Sequence, residues 1–220
     1  MPEANQGNLA SIQGLVQATV EPCFVKQSQH KKYIPTYAEA INAVVEDVKQ
    51  GSGANITKEE ASKMLKGVVD FSAEDYTNIR NAYNNPKAPR CDRERMEALD
   101  AYLKKAPKWE GEIYRGINVS WDVANDILSK PDDVDMKGPS SWSSEEMVAE
   151  SFASIGSEAV RMLFVLKENK SGASITHIAS YNGTESELTV PSGVKYAIES
   201  VKHSTIHGMP WIHVYVKEKS

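Results

Sequence analysis

The stretch Val160-Arg161-Met162-Leu163-Phe164-Val165-Leu166 decides the fold class. It is a short, almost continuous apolar run, which reads as a largely buried β-strand. Working outward, Val194, Tyr196 and Ile198 recur at every second position, and Trp211, His213 and Tyr215 alternate with Ile212, Val214 and Val216. This period of two predicts strands. Ile113 to Ile117 reads as a further short strand. Between them, helices are expected only at about 121–129 and 145–154, the second opening on Ser143 with Glu146 three residues later, the spacing of a capping box.

Upstream of Pro107 the period changes to that of a helix. Tyr37, Ile41, Val44, Val45 and Val48 recur at three- and four-residue steps and stop at Gly51-Ser52-Gly53. A second helix starts at Thr57, with Glu60 as its capping-box partner. A third follows Ser72, uses Tyr76, Ile79 and Tyr83, and stops before Asn84-Asn85-Pro86. Met96, Leu99, Tyr102 and Leu103 mark a fourth. Strands that do not alternate regularly with helices point to α+β rather than a doubly wound sheet. The expected organisation is a helical part over residues 1–107 and a β-rich part over 108–220, together one domain.

Composition narrows the function classes. With 220 residues, 40% hydrophobic, 25% charged, 13 Gly and 10 Pro, the chain is neither collagenous, low-complexity nor a disulfide-stapled miniprotein. No window approaches the ~18 continuous apolar residues of a membrane helix. A net charge of −5 argues against a grip on nucleic acid by phosphate neutralisation, and no sequence-specific nucleic-acid binding is expected. MPEANQGNLASIQGLVQ lacks a basic segment followed by an apolar one, so Sec export is not expected. Cytoplasmic residence is, although an effector injected by a dedicated machine would read the same way. Cys23 and Cys91 lie far apart, and a reducing compartment disfavours pairing them. His203, His207 and His213 lack metal-ligand spacing in a strand context, and no metal is expected.

Three segments combine polar residues with strand ends. In Glu112-Ile-Tyr-Arg-Gly-Ile117, Arg115 is costly to bury unless it meets an anion, either an internal carboxylate or a bound phosphate. Gly116 would let a ligand approach the backbone closely. Gly138-Pro-Ser-Ser-Trp-Ser-Ser144 is either a serine-rich turn or a set of hydroxyls that orient a catalytic group; no neighbouring His or Lys makes any of them a nucleophile. In Thr184-Glu-Ser-Glu-Leu-Thr-Val-Pro191, a strand over 185–190 would put Glu185 and Glu187 on one face, about 6–7 Å apart. Such a pair is either solvated or used, because like charges side by side cost energy.

Taken together, Arg115, Ser141-Trp-Ser143 and Glu185-Ser-Glu187 occur in the order R, S-x-S, E-x-E. This chain resembles the arginine-directed mono-ADP-ribosyltransferases of the R-S-E class. Tyr114-Arg-Gly116 is similar to the family's aromatic-Arg-Gly, Ala149 and Phe152-Ala153 to the helix after its serine motif, and Glu185 to Gly193 with Tyr196-Ala-Ile198 to its E-x-E strand and the strand that follows. The resemblance covers roughly residues 76–203, and size and the Tyr-Arg-Gly-Ile form are most like the small enzymes of T-even-type phages. It departs at Trp142, where the family usually has Thr, at Pro139, where it usually has an aromatic residue, and after Phe152, where no basic residue offers a second phosphate contact.

The resemblance implies the ADP-ribosyltransferase fold, a helical N-terminal part on a core of two packed mixed or antiparallel sheets. It implies NAD as co-substrate, no further cofactor, and host proteins with accessible arginines, among them transcription or translation proteins, as acceptors in the bacterial cytoplasm. Glu187 would stabilise the oxocarbenium-like ribose, Ser141 would orient Glu187, Arg115 would hold the diphosphate, Gly116 would present backbone groups to the nicotinamide amide, and Phe152 would stack on the ring. Glu185 would handle the acceptor guanidinium, and Tyr181 would recognise the target. Two rival readings are a glycoside or NAD hydrolase, since the estimated carboxylate spacing touches the inverting range of about 6.5–9.5 Å, and a non-catalytic interaction module docking through its helices.

Overall fold

A computed structural model describes residues 35–73, 75–179, 186–206 and 208–219. Among the described residues, the first two helices start where local capping chemistry says they must. Thr36 caps α1 (Tyr37–Ser52) by accepting from the Glu39 N–H, while the Glu39 carboxylate accepts from the Thr36 N–H at 2.8 Å. Gly53 ends the helix in the left-handed conformation, φ 72°, which costs a glycine nothing. Thr57 and Glu60 repeat the reciprocal cap on α2 (Lys58–Phe71). Then come α3 (Tyr76–Ala82) and α4 (Arg90–Lys105). Their apolar stripes meet in one cluster, with Val44, Val48, Leu65, Phe71, Leu99 and Leu103 fully buried. Among the described residues no helix is long and apolar enough to cross a membrane.

The strands follow as β1 (Ile113–Val119), β2 (Val134–Asp135), β3 (Ser140–Ser143), β4 (Val160–Leu166), β5 (Ala173–Ser174), β6 (Glu187–Val190), β7 (Lys195–Ile206) and β8 (Met209–Glu218). Helix α5 (Trp121–Leu128) leaves β1, and α6 (Glu146–Ser154) leaves β3. The fold is α+β, as the change of period at Pro107 implies. The order β2-β7-β8-β4-β1-β3-β6-β5 is one mixed sheet, with β4 and β8 parallel and every other neighbouring pair antiparallel.

Two packed sheets were expected, and one continuous ladder is found. The reason lies at a single junction. β1 pairs with β4 along all of Ile113–Val119, but with β3 only at Tyr114↔Ser143. That one pair joins a broad wing, β2-β7-β8-β4-β1, to a narrow wing, β3-β6-β5. Phe164, Leu166, Ile212 and Val214 of the broad wing share a core with Trp142, Leu188 and Val190 of the narrow one. On the opposite face α6 lays Ala149 and Ala153 over Leu163, Val165 and Trp211.

The expected capping box at Ser143 does not form. The N-cap of α6 is Glu145, and Ser143, held in β3, accepts from the Glu145 N–H at 3.0 Å instead. Strand register claims this serine before the helix can use it.

Candidate active site

The seam between the wings opens into a cleft of about 360 Å³ lined by β1, β3, α6 and the start of β6. Arg115, Gly116, Ser141, Phe152 and Glu187 all line it, so five residues chosen from sequence converge in one place. Glu185 and Tyr181 lie outside the described residues.

Ser141 and Glu187 meet because β3 and β6 run antiparallel with Ser143 opposite Glu187 and Ser141 opposite Thr189. Strand alternation puts all four on one face. The Ser141 hydroxyl donates to Glu187 Oε1 at 2.9 Å. The same alternation sends Trp142 the other way, opposite Leu188 and into the core, where it is 3% exposed and its Nε1 donates to Ser140 Oγ at 3.0 Å. The unusual tryptophan therefore fills core volume, although the residue also lines the cleft described above.

The strand expected over 185–190 begins only at Glu187. Ser186 has φ 46°, a left-handed value, and its hydroxyl donates to Glu145 at 2.7 Å. This kink ends the period of two, so the argument that alternation sets Glu185 and Glu187 on one face does not apply.

Arg115 is 8% exposed, yet its hydrogen-bond partners are neutral: Nη1 donates to the Ser141 carbonyl and Nη2 to the Tyr76 hydroxyl at 3.3 Å. Its buried Nε has no partner among the described residues. The same Tyr76 hydroxyl accepts from Arg80 at 2.8 Å, and Arg80 also donates to the Met136 carbonyl. Burial pulls the Arg80 guanidinium below its ordinary value, and the nearby Arg115 charge adds to that. For Tyr76, burial pushes the phenol up, but the Arg115 and Arg80 charges outweigh it and the net direction is down. Arg115 and Arg80 thus share one phenol, with no carboxylate hydrogen-bonded to either among the described residues.

Arg115 also lines a second cavity of about 460 Å³, with Arg80, Asn118 and Phe164. One guanidinium therefore stands between two cavities. Gly116 proves necessary for packing: a Cβ there would sit 1.7 Å from the Ala149 carbonyl oxygen of α6. Phe152 is 45% exposed on the rim of the cleft, which is incompatible with a core role.

Reading the sequence missed Tyr76, which it placed in a helix stripe, and Arg80, which it did not single out. Their four-residue spacing places them on one helix face, but only the packing of α3 against the sheet shows that the face meets Arg115.

No protein-family model and no curated protein matches the sequence. Solved structures do. The Vis toxin, an ADP-ribosyltransferase from Vibrio splendidus, aligns at TM-score 0.57 and 20% identity over 86% of this chain and 89% of that one; it has also been solved with agmatine. Plx2a, an ADP-ribosyltransferase toxin from Paenibacillus larvae, aligns at 0.55 and 17%, covering 84% and 96%. C3stau2 from S. aureus, solved with NAD, aligns at 0.54 and 17%, covering 87% and 100%. The chain has the fold of the ADP-ribosyltransferases.

Proposed function

We propose that this protein transfers ADP-ribose from NAD to arginine side chains of target proteins and releases nicotinamide. The observation that carries the reading is the Ser141–Glu187 hydrogen bond of 2.9 Å in the same cleft as the buried Arg115. Resemblance to the R-S-E class, an overall fold shared with ADP-ribosyltransferases, and a fold neighbour solved with NAD support it.

The chemistry asks little of an acid. The nicotinamide of NAD is already cationic, so its C–N bond breaks with the electron pair leaving on the ring, and the difficulty is the positive charge left on the ribose. A fixed carboxylate answers that need, because its charge is in place before the bond breaks. Glu187 takes this role and Ser141 orients it. Arg115 holds the diphosphate, with Arg80 supplying the second positive charge that the sequence lacks after Phe152. The two cavities on either side of Arg115 suit the two nucleoside halves of a dinucleotide, and Phe152 offers a face to the nicotinamide ring.

In the acceptor step a guanidine nitrogen forms a bond to the ribose carbon as the nicotinamide bond breaks. The guanidinium is protonated at any working pH, so a carboxylate must hold it in line and take its proton. Glu185 is assigned that task and Tyr181 target recognition. A fold neighbour was solved with agmatine, itself a guanidine, which fits an arginine acceptor. The protein is read as a phage enzyme acting on host proteins in the bacterial cytoplasm.

The test is incubation with labelled NAD and a bacterial lysate, beside Glu187→Gln, followed by a denaturing gel and mass spectrometry. Labelled bands that vanish in the variant, with the mass on arginine, are the expected outcome. The absence of both labelled protein and free nicotinamide would refute the reading.

A further inference from the structure

The narrow wing carries Ser141 and Glu187, while Arg115, Gly116 and Phe152 belong to the broad wing and its helix. Only the Tyr114↔Ser143 pair joins β1 to β3. A junction of one pair leaves the relative position of the two wings weakly specified by the sheet itself. The shared core and the Arg115 bond to the Ser141 carbonyl seat the narrow wing, and further bonds to the Glu187 end of β6 refine where its carboxylate stands.

The helices supply them. The turn between β5 and β6 grips Glu187 directly, with the Ile175 N–H and the Thr176 hydroxyl both donating to its carbonyl oxygen at 3.2 Å. The next residue, His177, reaches the helical half, and its Nε2 lies 2.8 Å from Asp47 Oδ2 on α1. A carboxylate oxygen at neutral pH only accepts, so Nε2–H is the donor. The same oxygen takes a 2.8 Å hydrogen bond from the Tyr102 hydroxyl of α4, which is fully buried. Burial first, and Asp47 second, hold the Tyr102 phenol well above its ordinary value, so it stays a donor. At the far end of β6 the Asp100 carboxylate of α4 accepts from the Ser192 N–H at 2.9 Å. Strand β6 is thus tied to helices at both ends.

We infer that His177 and Asp47 are positioning residues for Glu187: they form a strut that runs from α1 and α4 through the 175–177 turn to the Glu187 backbone. The inference rests on the proposed reading of the cleft and deepens it, since neither residue touches the substrate site. His177 is half-exposed and adds little to the core, so its contribution is to geometry. Small errors in the placement of a catalytic group are costly in rate while leaving substrate binding largely intact.

The experiment is steady-state release of nicotinamide from NAD by the full chain, by His177→Ala and by His177→Gln, with amide hydrogen exchange on each. Glutamine places a donor where Nε2 stands and is the conservative variant. His177→Ala should lower kcat about tenfold with KM for NAD within about twofold, and should speed exchange at Leu188 and Thr189. His177→Gln should restore both. An active wild type with kcat and β6 exchange unchanged in His177→Ala overturns the strut alone. So does a loss of kcat that His177→Gln fails to restore. A folded wild type that releases no nicotinamide instead overturns the reading of the cleft on which the strut depends.

Discussion

The two wings of the sheet are built on different principles. In the broad wing β4 is flanked along its length by β1 and β8, and six of its seven residues are buried. Its stability comes from apolar area and continuous ladders. In the narrow wing the strands are two to four residues long and hold a glutamate, four serines and a threonine among them. Beside the core they share with the broad wing, their placement depends on individual polar bonds: Arg115 to the Ser141 carbonyl, His177 to Asp47, and the Ser192 N–H to Asp100. The lesson is a division of labour. A wide hydrophobic scaffold tolerates a narrow, polar and weakly paired neighbour, and the candidate site lies where the two meet.

The largest test of that division is Glu187→Gln, which should cut nicotinamide release and transfer by about a thousandfold, roughly 4 kcal/mol of transition-state stabilisation, with the melting temperature hardly changed. In the scaffold the opposite pattern is expected. Leu166→Ala, at a fully buried position of β4, should cost about 3 kcal/mol in denaturant unfolding while the residual folded protein keeps its NAD affinity. Glu185→Gln should separate the two half-reactions, lowering transfer to arginine about tenfold or more than it lowers NAD hydrolysis in parallel assays. Equal losses would remove the acceptor role from Glu185.

Thr189 sharpens the comparison from inside the narrow wing. It is fully buried, and its hydroxyl has no hydrogen-bond partner among the described residues. Thr189→Val removes an uncompensated polar group at constant shape and should raise stability by about 1 kcal/mol, measured by urea unfolding. The smallest effect concerns Asp100, whose carboxyl burial pushes above its ordinary value, with the Ser192 hydrogen bond only partly opposing. A carboxyl with a raised folded pKa favours the folded state when protonated. Its contribution is complete below the unfolded value of about 3.9 and is lost as pH rises through the folded one. Asp100→Asn keeps an acceptor for Ser192, so it should raise Tm at neutral pH by about 1–2 °C. That gain should disappear on acidification below about pH 3.9, followed by calorimetry.

What could be read from the sequence was local. Thr36 with Glu39 and Thr57 with Glu60 announce helix starts because the capping partners lie three residues apart. The apolar run at Val160–Leu166 announces a buried strand because its neighbours are irrelevant to the pattern. The order of Arg115, Ser141 and Glu187 pointed to one cleft, and they share one. What failed was long-range. Ser143 satisfies a capping pattern and yet is claimed by β3, and the alternation expected through Glu185 stops at the left-handed Ser186. Neither Arg80 nor His177 carries any sequence signal of its partner, since Met136 and Asp47 are brought to them only by helix packing.

The phenol of Tyr76 turns the site into its own optical gauge. Two guanidiniums hold its titration below the ordinary tyrosine range. An anion seated on Arg115 would cancel part of that field and push the phenol back up. In an alkaline titration, the tyrosinate absorbance of Tyr76 should therefore appear at higher pH with a diphosphate bound than without, and Tyr76→Phe should remove that difference. Occupancy could then be followed without a label, without turnover and without an acceptor protein.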